Sequence, residues 1–500
     1  MKMKSRQWNG TWLAIVFLLS GFVGSLAGAP AAEVADAVRT RNTGALQTLL
    51  KQRADVNAAQ ADGTTALHWA AHWNDLETVN LLLRAGANAK AVNRYGATPL
   101  SEAVTSGSPA MIQALLTAGA DPKTLTTEDG ETVLMTAARA GNIEAVRILV
   151  DRGADVNARE KYKGQTALMW AAAERHPDIV KLLLDHGADW KVRSSDKETR
   201  LPRLSAASSV SPMARGGFPA LLYAAREGDV ESAQVMADKG VDLNYGDVDN
   251  TTALTVSILN KRYTFAKFLL DRGADPNIVD ASGRTALYAV VEARNEDWTT
   301  LPERRADDAL PSVEIVKLLL AHKADPNAAL TKPLPGKSGM DSGDTALGAG
   351  ATPLMRAARS GDATSMRLLL AAGADPKLVT RDGSNALMFA AGVGYRDKNT
   401  KGTDSEALDA LKVAIGAGLD FNEANSKGEM AIHGAALRGA DSIVQFLIDS
   451  GAKINAKTRQ GFTPLDVAMG KSIVGQLPVP KDSTVALLRK LGGLEGKDVN

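Results

Sequence analysis

The apolar and polar positions of this chain recur in register. From Asp62 the sequence reads DGTTALHWAAHWNDLETVNLLLRAGANAKAVN, from Tyr95 YGATPLSEAVTSGSPAMIQALLTAGADPKTLT, from Asp129 DGETVLMTAARAGNIEAVRILVDRGADVNARE, and from Lys163 KGQTALMWAAAERHPDIVKLLLDHGADWKVRS. The leading glycines Gly63, Gly96, Gly130 and Gly164 stand 33 or 34 residues apart. Each copy has a T-A/P-L-x-x-A-A element followed by an L-L-L-x-x-G-A-D-x-N element, which predicts two short helices joined by a tight turn. Threonine at the head of the first helix (Thr65, Thr98, Thr132, Thr166, Thr252, Thr285, Thr352, Thr463) supplies a cap, and Pro99, Pro353 and Pro464 fit the first turn. Alanine pairs such as Ala70-Ala71 and Ala137-Ala138 allow close helix approach. Leucine runs such as Leu81 to Leu83 and Leu182 to Leu184 form the buried side of the second helix. Glycines such as Gly86, Gly153 and Gly187 suit a left-handed stop.

The pattern closely resembles the ankyrin-repeat family. It continues from Phe218, Asn250 and Ser282, is completed by VEIVKLLLAHKADPN from Val313, and resumes at Gly350, Asp382, Lys427 and Gln460; with a degenerate first copy, Glu33 to Ala61, it makes twelve repeats. The resemblance implies an all-α repeat solenoid, about twelve helix-turn-helix units with short β-hairpin-like loops at right angles to the helices. One such unit cannot bury its apolar face alone, so stacking creates the core. The length prior of about three domains for 500 residues therefore gives way to a single solenoid. Its expected order is repeats 1–5 over 32–190, an insertion over 191–217, repeats 6–8 over 218–327, an insertion over 328–349, repeats 9–12 over 350–493 and a tail over 494–500. Two further insertions, 295–311 and 395–404, fall inside repeats. Breaks between repeats extend the hairpins, and breaks within them emerge at the other end of the helix pairs. They are read either as decorations of a binding face or as tolerated surface loops.

Composition narrows the chemistry. There is no cysteine, so disulfides, thiolate metal sites and a cysteine nucleophile are excluded. With 58 basic and 57 acidic residues no nucleic-acid-binding field is advertised. Lys2, Lys4 and Arg6, the apolar stretch Leu13 to Leu26, and Ala29-Pro30-Ala31 follow the order of a secretory signal peptide, giving a signal over 1–31 with cleavage near Ala31. The rival is an N-terminal anchor in the inner membrane, since Thr11 to Ala29 nearly reaches spanning length. The reading is an exported bacterial protein, periplasmic or secreted, with no membrane association after cleavage, and a monomer.

No catalytic motif survives inspection. Gly336-Lys337-Ser338 and Gly470-Lys471-Ser472 lack the earlier glycine of a phosphate loop, having Thr331 and Leu465 there. No metal or cofactor site is expected. His68 and His433 occupy the T-x-L-H position, where the resemblance implies a tie to loop backbone. His176 sits at an inter-helix turn, His186 and His322 near helix ends, and only His72 has no such role.

What remains is a surface. The resemblance implies ligand contact on hairpin tips and on the exposed face of the first helix, the concave side. Carried over position by position, this singles out Trp69, His72, Trp73, Glu102, Arg139, Trp170, Glu174, Tyr223, Arg226, Glu227, Arg356, Arg359 and Phe389. Trp69 and Trp73 share a helix face with His72 beside them. Trp170, Tyr223 and Phe389 stand where side chains also pack between helices, whereas Trp73, Arg139, Arg226 and Arg359 are expected to be free. The functional expectation is a non-enzymatic scaffold that binds a protein partner. The alternatives are a host-directed effector and an enzyme whose site lies in the insertions, with Asp297, Glu303, Asp307 and Asp308 as its acids.

Overall fold

The computed structural model describes residues 32–196, 216–295, 310–334, 347–395, 402–471 and 479–499. The expected signal segment lies outside them, as do Asp297, Glu303, Asp307 and Asp308 and the middles of the insertions. Among the described residues the chain is helical, with 24 α-helices forming twelve consecutive pairs. The pairs run from α1 (Glu33–Arg39) and α2 (Thr43–Lys51) to α23 (Pro464–Ala468) and α24 (Asp482–Lys490). No strand forms among the described residues, only one antiparallel bridge, Leu125 to Thr132.

Most first helices begin at a side-chain cap. Thr98 and Thr132 accept from the backbone N–H three residues on, at 3.1 and 3.2 Å. Six of the second helices are capped as well. Asn142 accepts from Ala145 N at 3.0 Å and Asp362 from Ser365 N at 3.0 Å, a cap the sequence reading did not single out. They end on left-handed residues such as Gly153, at φ 87°, although Lys323 takes that conformation in repeat 8.

First helices stack on first helices and second on second, so α3 (Ala66–His72) packs on α5 (Pro99–Ser106) and α7 (Val133–Arg139) on α9 (Ala167–Ala173). The alanine pairs are fully enclosed between them. Of each leucine run the middle residue is the core member: Leu82, Leu149 and Leu183 are buried completely. Each is worth roughly 2 kcal/mol of apolar transfer, and none has a partner outside its own or the adjoining repeats.

Two devices hold successive repeats in register. One backbone hydrogen bond joins most finger-like loops to the next, as from Arg94 N to Asp62 O (2.7 Å), Ala281 N to Asp249 O (2.8 Å) and Arg459 N to Lys427 O (2.8 Å). The asparagine of the G-A-D-x-N element then clamps the following repeat. Asn277 donates through Nδ2 to Lys323 O (3.0 Å) and accepts from Asp325 N (2.7 Å), and Asn327 does the same with Gly373 O and Asp375 N. These two clamps reach across 295–311 and 328–349, so register survives both insertions. Asn277→Ala is expected to lower stability by about 1–2 kcal/mol, read as faster amide exchange in repeats 7 and 8. Unchanged exchange there would remove the clamp from the account.

The stack also continues across 191–217. Helix α9 packs on α11 (Ala220–Glu227), and α10 (Pro177–Asp185) on α12 (Val230–Asp238). The insertion leaves and returns through paired backbone, Ser194 N to Phe218 O at 3.1 Å and Gly217 N to Ser195 O at 3.2 Å, which places it on a finger. Leu330 and Ala351 close 328–349 in the same way, and Leu330, Leu334 and Leu347 join the core, so the ends of that insertion are structural. At the C-terminus the tail caps the stack. Thr463 Oγ1 donates to Leu494 O (2.7 Å) and Gly496 N to the buried Asp466 carboxylate (2.6 Å), standing in for a thirteenth finger.

Candidate recognition face

The flank of the first helices in repeats 1–6 carries a row of aromatic and charged side chains in three groups. It begins at Arg41, which ends α1 in a left-handed turn (φ 56°) where repeats 3 and 4 have Gly107 and Gly141. Its guanidinium lies 4.3 Å over the ring of Trp73. Trp73 in turn stacks on Trp69, centroids 6.1 Å apart and planes at 22°, with the His72 ring edge-on to both at 4.9 and 5.8 Å. Trp69 is fixed from below by its Nε1 donating to Gln60 Oε1 at 2.8 Å. His72 Nδ1 is 3.0 Å from Glu102 Oε2 on the next repeat.

The row continues two repeats on. Arg139 lies 5.1 Å over Trp170 of the following repeat and pairs with Glu131 at 3.0 Å. Trp170 is half-buried, and its Nε1 has no hydrogen-bond partner among the described residues. Glu174 is exposed beyond it. In repeat 6, Arg226 sits 5.1 Å over Tyr223 and bonds Glu227 at 2.7 Å. Cation–ring contacts of this kind hold long side chains in place before any partner arrives.

Four expected contact residues are not available. Tyr223 and Phe389 are only 6% and 2% exposed; the Tyr223 hydroxyl accepts from Gln165 Nε2 at 3.0 Å and serves the junction of repeats 5 and 6. Arg356 and Arg359, at 3% and 4%, are buried rather than free. Arg356 bonds Ser360 Oγ and the backbone oxygen of Asn295, the residue that follows α15 (Ala286–Arg294). Beside them Arg294 and Asn295 reach Asp362, each at 3.0 Å. Burial alone would raise the Asp362 pKa, but hydrogen bonds from Arg294, Ser365 and Asn295 outweigh it and hold it at about 2. Sequence reasoning missed Arg41, Gln60 and Glu131, of which only Arg41 left a signal: an arginine where repeats 3 and 4 have glycine, although repeats 2, 5 and 7 carry Asn74, Arg175 and Lys261 there.

The histidines at the T-x-L-H position tie loops together. His433 Nδ1 accepts from Met430 N at 3.1 Å and its Nε2 lies 3.0 Å from Ala456 O in the next repeat; His68 does the same with Thr65 N and Ala97 O. Burial pushes the His433 pKa down to about 4, and lowers that of His68. Protonation would turn the Nδ1 acceptor into a second donor facing an N–H. For His433 the unfolded chain takes up the proton near pH 6.5 and the folded chain only near 4, so this stability is complete above 6.5 and lost as pH falls from 6.5 towards 4. A loss of roughly 3 kcal/mol is expected from His433 by pH 4 in denaturant titrations of the full chain. A flat profile between pH 7 and 4 would refute the assignment. Asp362, with its lowered pKa, weakens only below pH 3.8.

Among the described residues no cluster of His, Asp or Glu could hold a metal ion, and no helix is long and apolar enough to cross a membrane. A stack of helix pairs with an aromatic, charge-bearing flank defines a helical repeat scaffold. The description of three-copy ankyrin repeats matches residues 35–126, 110–194, 204–280, 221–330 and 309–398, and that of the single ankyrin repeat matches 427–459. The chain belongs to the ankyrin-repeat family, whose repeats generally mediate protein–protein interaction. It is 36% identical over 77 residues to Serine/threonine-protein kinase 12 of Arabidopsis thaliana, covering 15% of this chain and 17% of that one. It is 27% identical over 276 residues to E3 ubiquitin-protein ligase KEG of the same plant, covering 52% and 16%. With Protein PhlB of Serratia liquefaciens it shares 42% identity over 97 residues, 19% of this chain and 42% of that one. The chain thus spans less than half the length of these curated relatives. The crystal structure of the human ASB11 ankyrin repeat domain aligns with 49% of this chain and 98% of its own, at 25% identity and a TM-score of 0.39.

Proposed function

We propose that this protein is an exported, non-enzymatic scaffold of the cell envelope or the secreted space, which captures a protein partner along the first-helix flank of repeats 1–6. The observation that carries the reading is the row from Arg41 through Trp73, His72 and Arg139 to Trp170, in which arginines are already stacked on exposed or half-exposed rings. Aromatic and arginine side chains held in advance dominate the energetic centres of protein interfaces. Export is supported by the basic, apolar, small-residue order of residues 1–31.

A photoreactive residue at position 106, at the open end of α5 beside this row, tests the face in living cells; the same residue at position 117, on the second helix, is the control. One polypeptide is expected to cross-link from 106 and not from 117, in the periplasmic fraction or the medium. Cross-linking confined to 117 would put the partner on the wrong side for this reading, and a product found only in the cytoplasm would end the proposal of export.

A further inference from the structure

A cleft of about 430 Å³ opens between repeats 1 and 2 at the inter-helix turns, the end remote from the fingers. Ala37, Val38 and Leu46 form its apolar floor, Trp73 is one wall, and Arg41 and Asp75 stand at its rim. Trp73 is the one tryptophan among the described residues that counts as exposed, at 37%. Arg41 makes no ion pair among the described residues, and the carboxylates nearby are engaged elsewhere. Asp75 accepts from Thr78 N (3.0 Å) and Thr78 Oγ1 (2.6 Å), Asp36 from Gln60 Nε2 (2.6 Å), and Glu102 faces His72. A cation fixed over an aromatic wall therefore borders a hollow with an apolar floor, and it forms no ion pair with the Asp75 carboxylate that lines the same cleft.

We infer that this cleft is an anchor pocket for a partner-protein segment in which a bulky apolar side chain adjoins Asp or Glu. The inference rests on the protein-binding reading above and supplies its recognition chemistry. The apolar side chain displaces water from Val38 and Leu46 and packs against Trp73, while the neighbouring carboxylate meets Arg41. An apolar segment without the acid leaves Arg41 desolvated and unpaired, and an acid without the apolar group leaves the floor wet, so both halves are required. A basic neighbour set against Arg41 is repelled by it.

The test uses the full chain and four fluorescent heptapeptides of otherwise identical sequence, centred on Phe-Asp, Phe-Asn, Phe-Lys and Ala-Asp, with binding read by anisotropy. Phe-Asp is expected to bind at least about tenfold more tightly than the other three. Arg41→Gln should equalise Phe-Asp and Phe-Asn, whereas Arg41→Lys, which keeps the charge, should retain part of the preference. Equal binding of the four peptides, or a preference for Phe-Asp that persists in Arg41→Gln, overturns the pocket. Cross-linking from position 106 separates the two readings: if it persists while the Phe-Asp preference is absent, the recognition face stands and the anchor falls.

Discussion

The double variant Trp73→Ala/Arg139→Ala is expected to bind the partner captured from position 106 at least about a hundredfold more weakly, with its helical content unchanged. Both side chains are exposed, and each is held by a contact on the surface: Trp73 between Arg41 and Trp69, Arg139 between Trp170 and Glu131. Neither fills the core, so neither substitution opens a cavity. Truncating a central aromatic or arginine of an interface typically costs about 2 kcal/mol or more, and two such losses from different repeats multiply to a hundredfold or beyond. The contacts they lose within the chain are exposed, and exposed pairs contribute at most about 1 kcal/mol. Full binding by the double variant would exclude this flank as the partner surface, and collapse of helicity would mean the two side chains are structural.

Among substitutions, Gly434→Ala carries the largest expected effect on stability. Gly434 lies inside α21 (Ala431–Arg438), where alanine normally gains about 1 kcal/mol of helix propensity. Here a Cβ would stand 2.5 Å from Val393 N and 2.9 Å from Gly392 C, both backbone atoms of the preceding repeat. Backbone cannot rotate away as a side chain can, and overpacking of this kind costs typically 1–3 kcal/mol and sometimes more. The clash outweighs the propensity gain, so a net loss of about 2 kcal/mol is expected, seen as earlier denaturant unfolding of repeats 10 and 11. A stabilised variant would show that α19 (Ala386–Ala391) and α21 do not approach so closely.

That position also explains what could be read from the sequence and what could not. The period, the helix pairs and the stops were legible because one unit is repeated, and each copy faces the same demand from its neighbours: a cap at threonine, alanine between first helices, a left-handed residue after the leucines. Exposure was not legible in the same way. Trp69, Trp170, Tyr223, Phe389 and Gly434 occupy one place in the repeat, yet they range from half-buried tryptophan to a glycine pressed on backbone. What covers each depends on the neighbouring copy and on how the chain leaves the helix. The burial of Arg356 under the Asn295 segment shows this directly, since nothing in the local sequence of repeat 9 distinguishes it from an open copy. Conversely the Arg41–Trp73 contact joins a degenerate first copy to a regular second one, and the sequence offered only the replacement of a glycine. The asparagine clamps were visible as letters of the repeat, but their reach across insertions of different length required the fold.

The central claim is that recognition lies along the first-helix flank of repeats 1–6. Hydrogen exchange of the full chain, with and without the partner cross-linked from position 106, tests it most directly. Protection is expected at the C-terminal ends of α1, α3, α5, α7, α9 and α11 and in the inter-helix turns that follow them, including Arg41 to Thr43 and Trp73 to Asp75, with the outer faces of α4 (Leu76–Arg84), α6 (Pro109–Thr117) and α8 (Ile143–Asp151) unchanged. Protection confined to those second helices, or to repeats 8–12, would contradict the account.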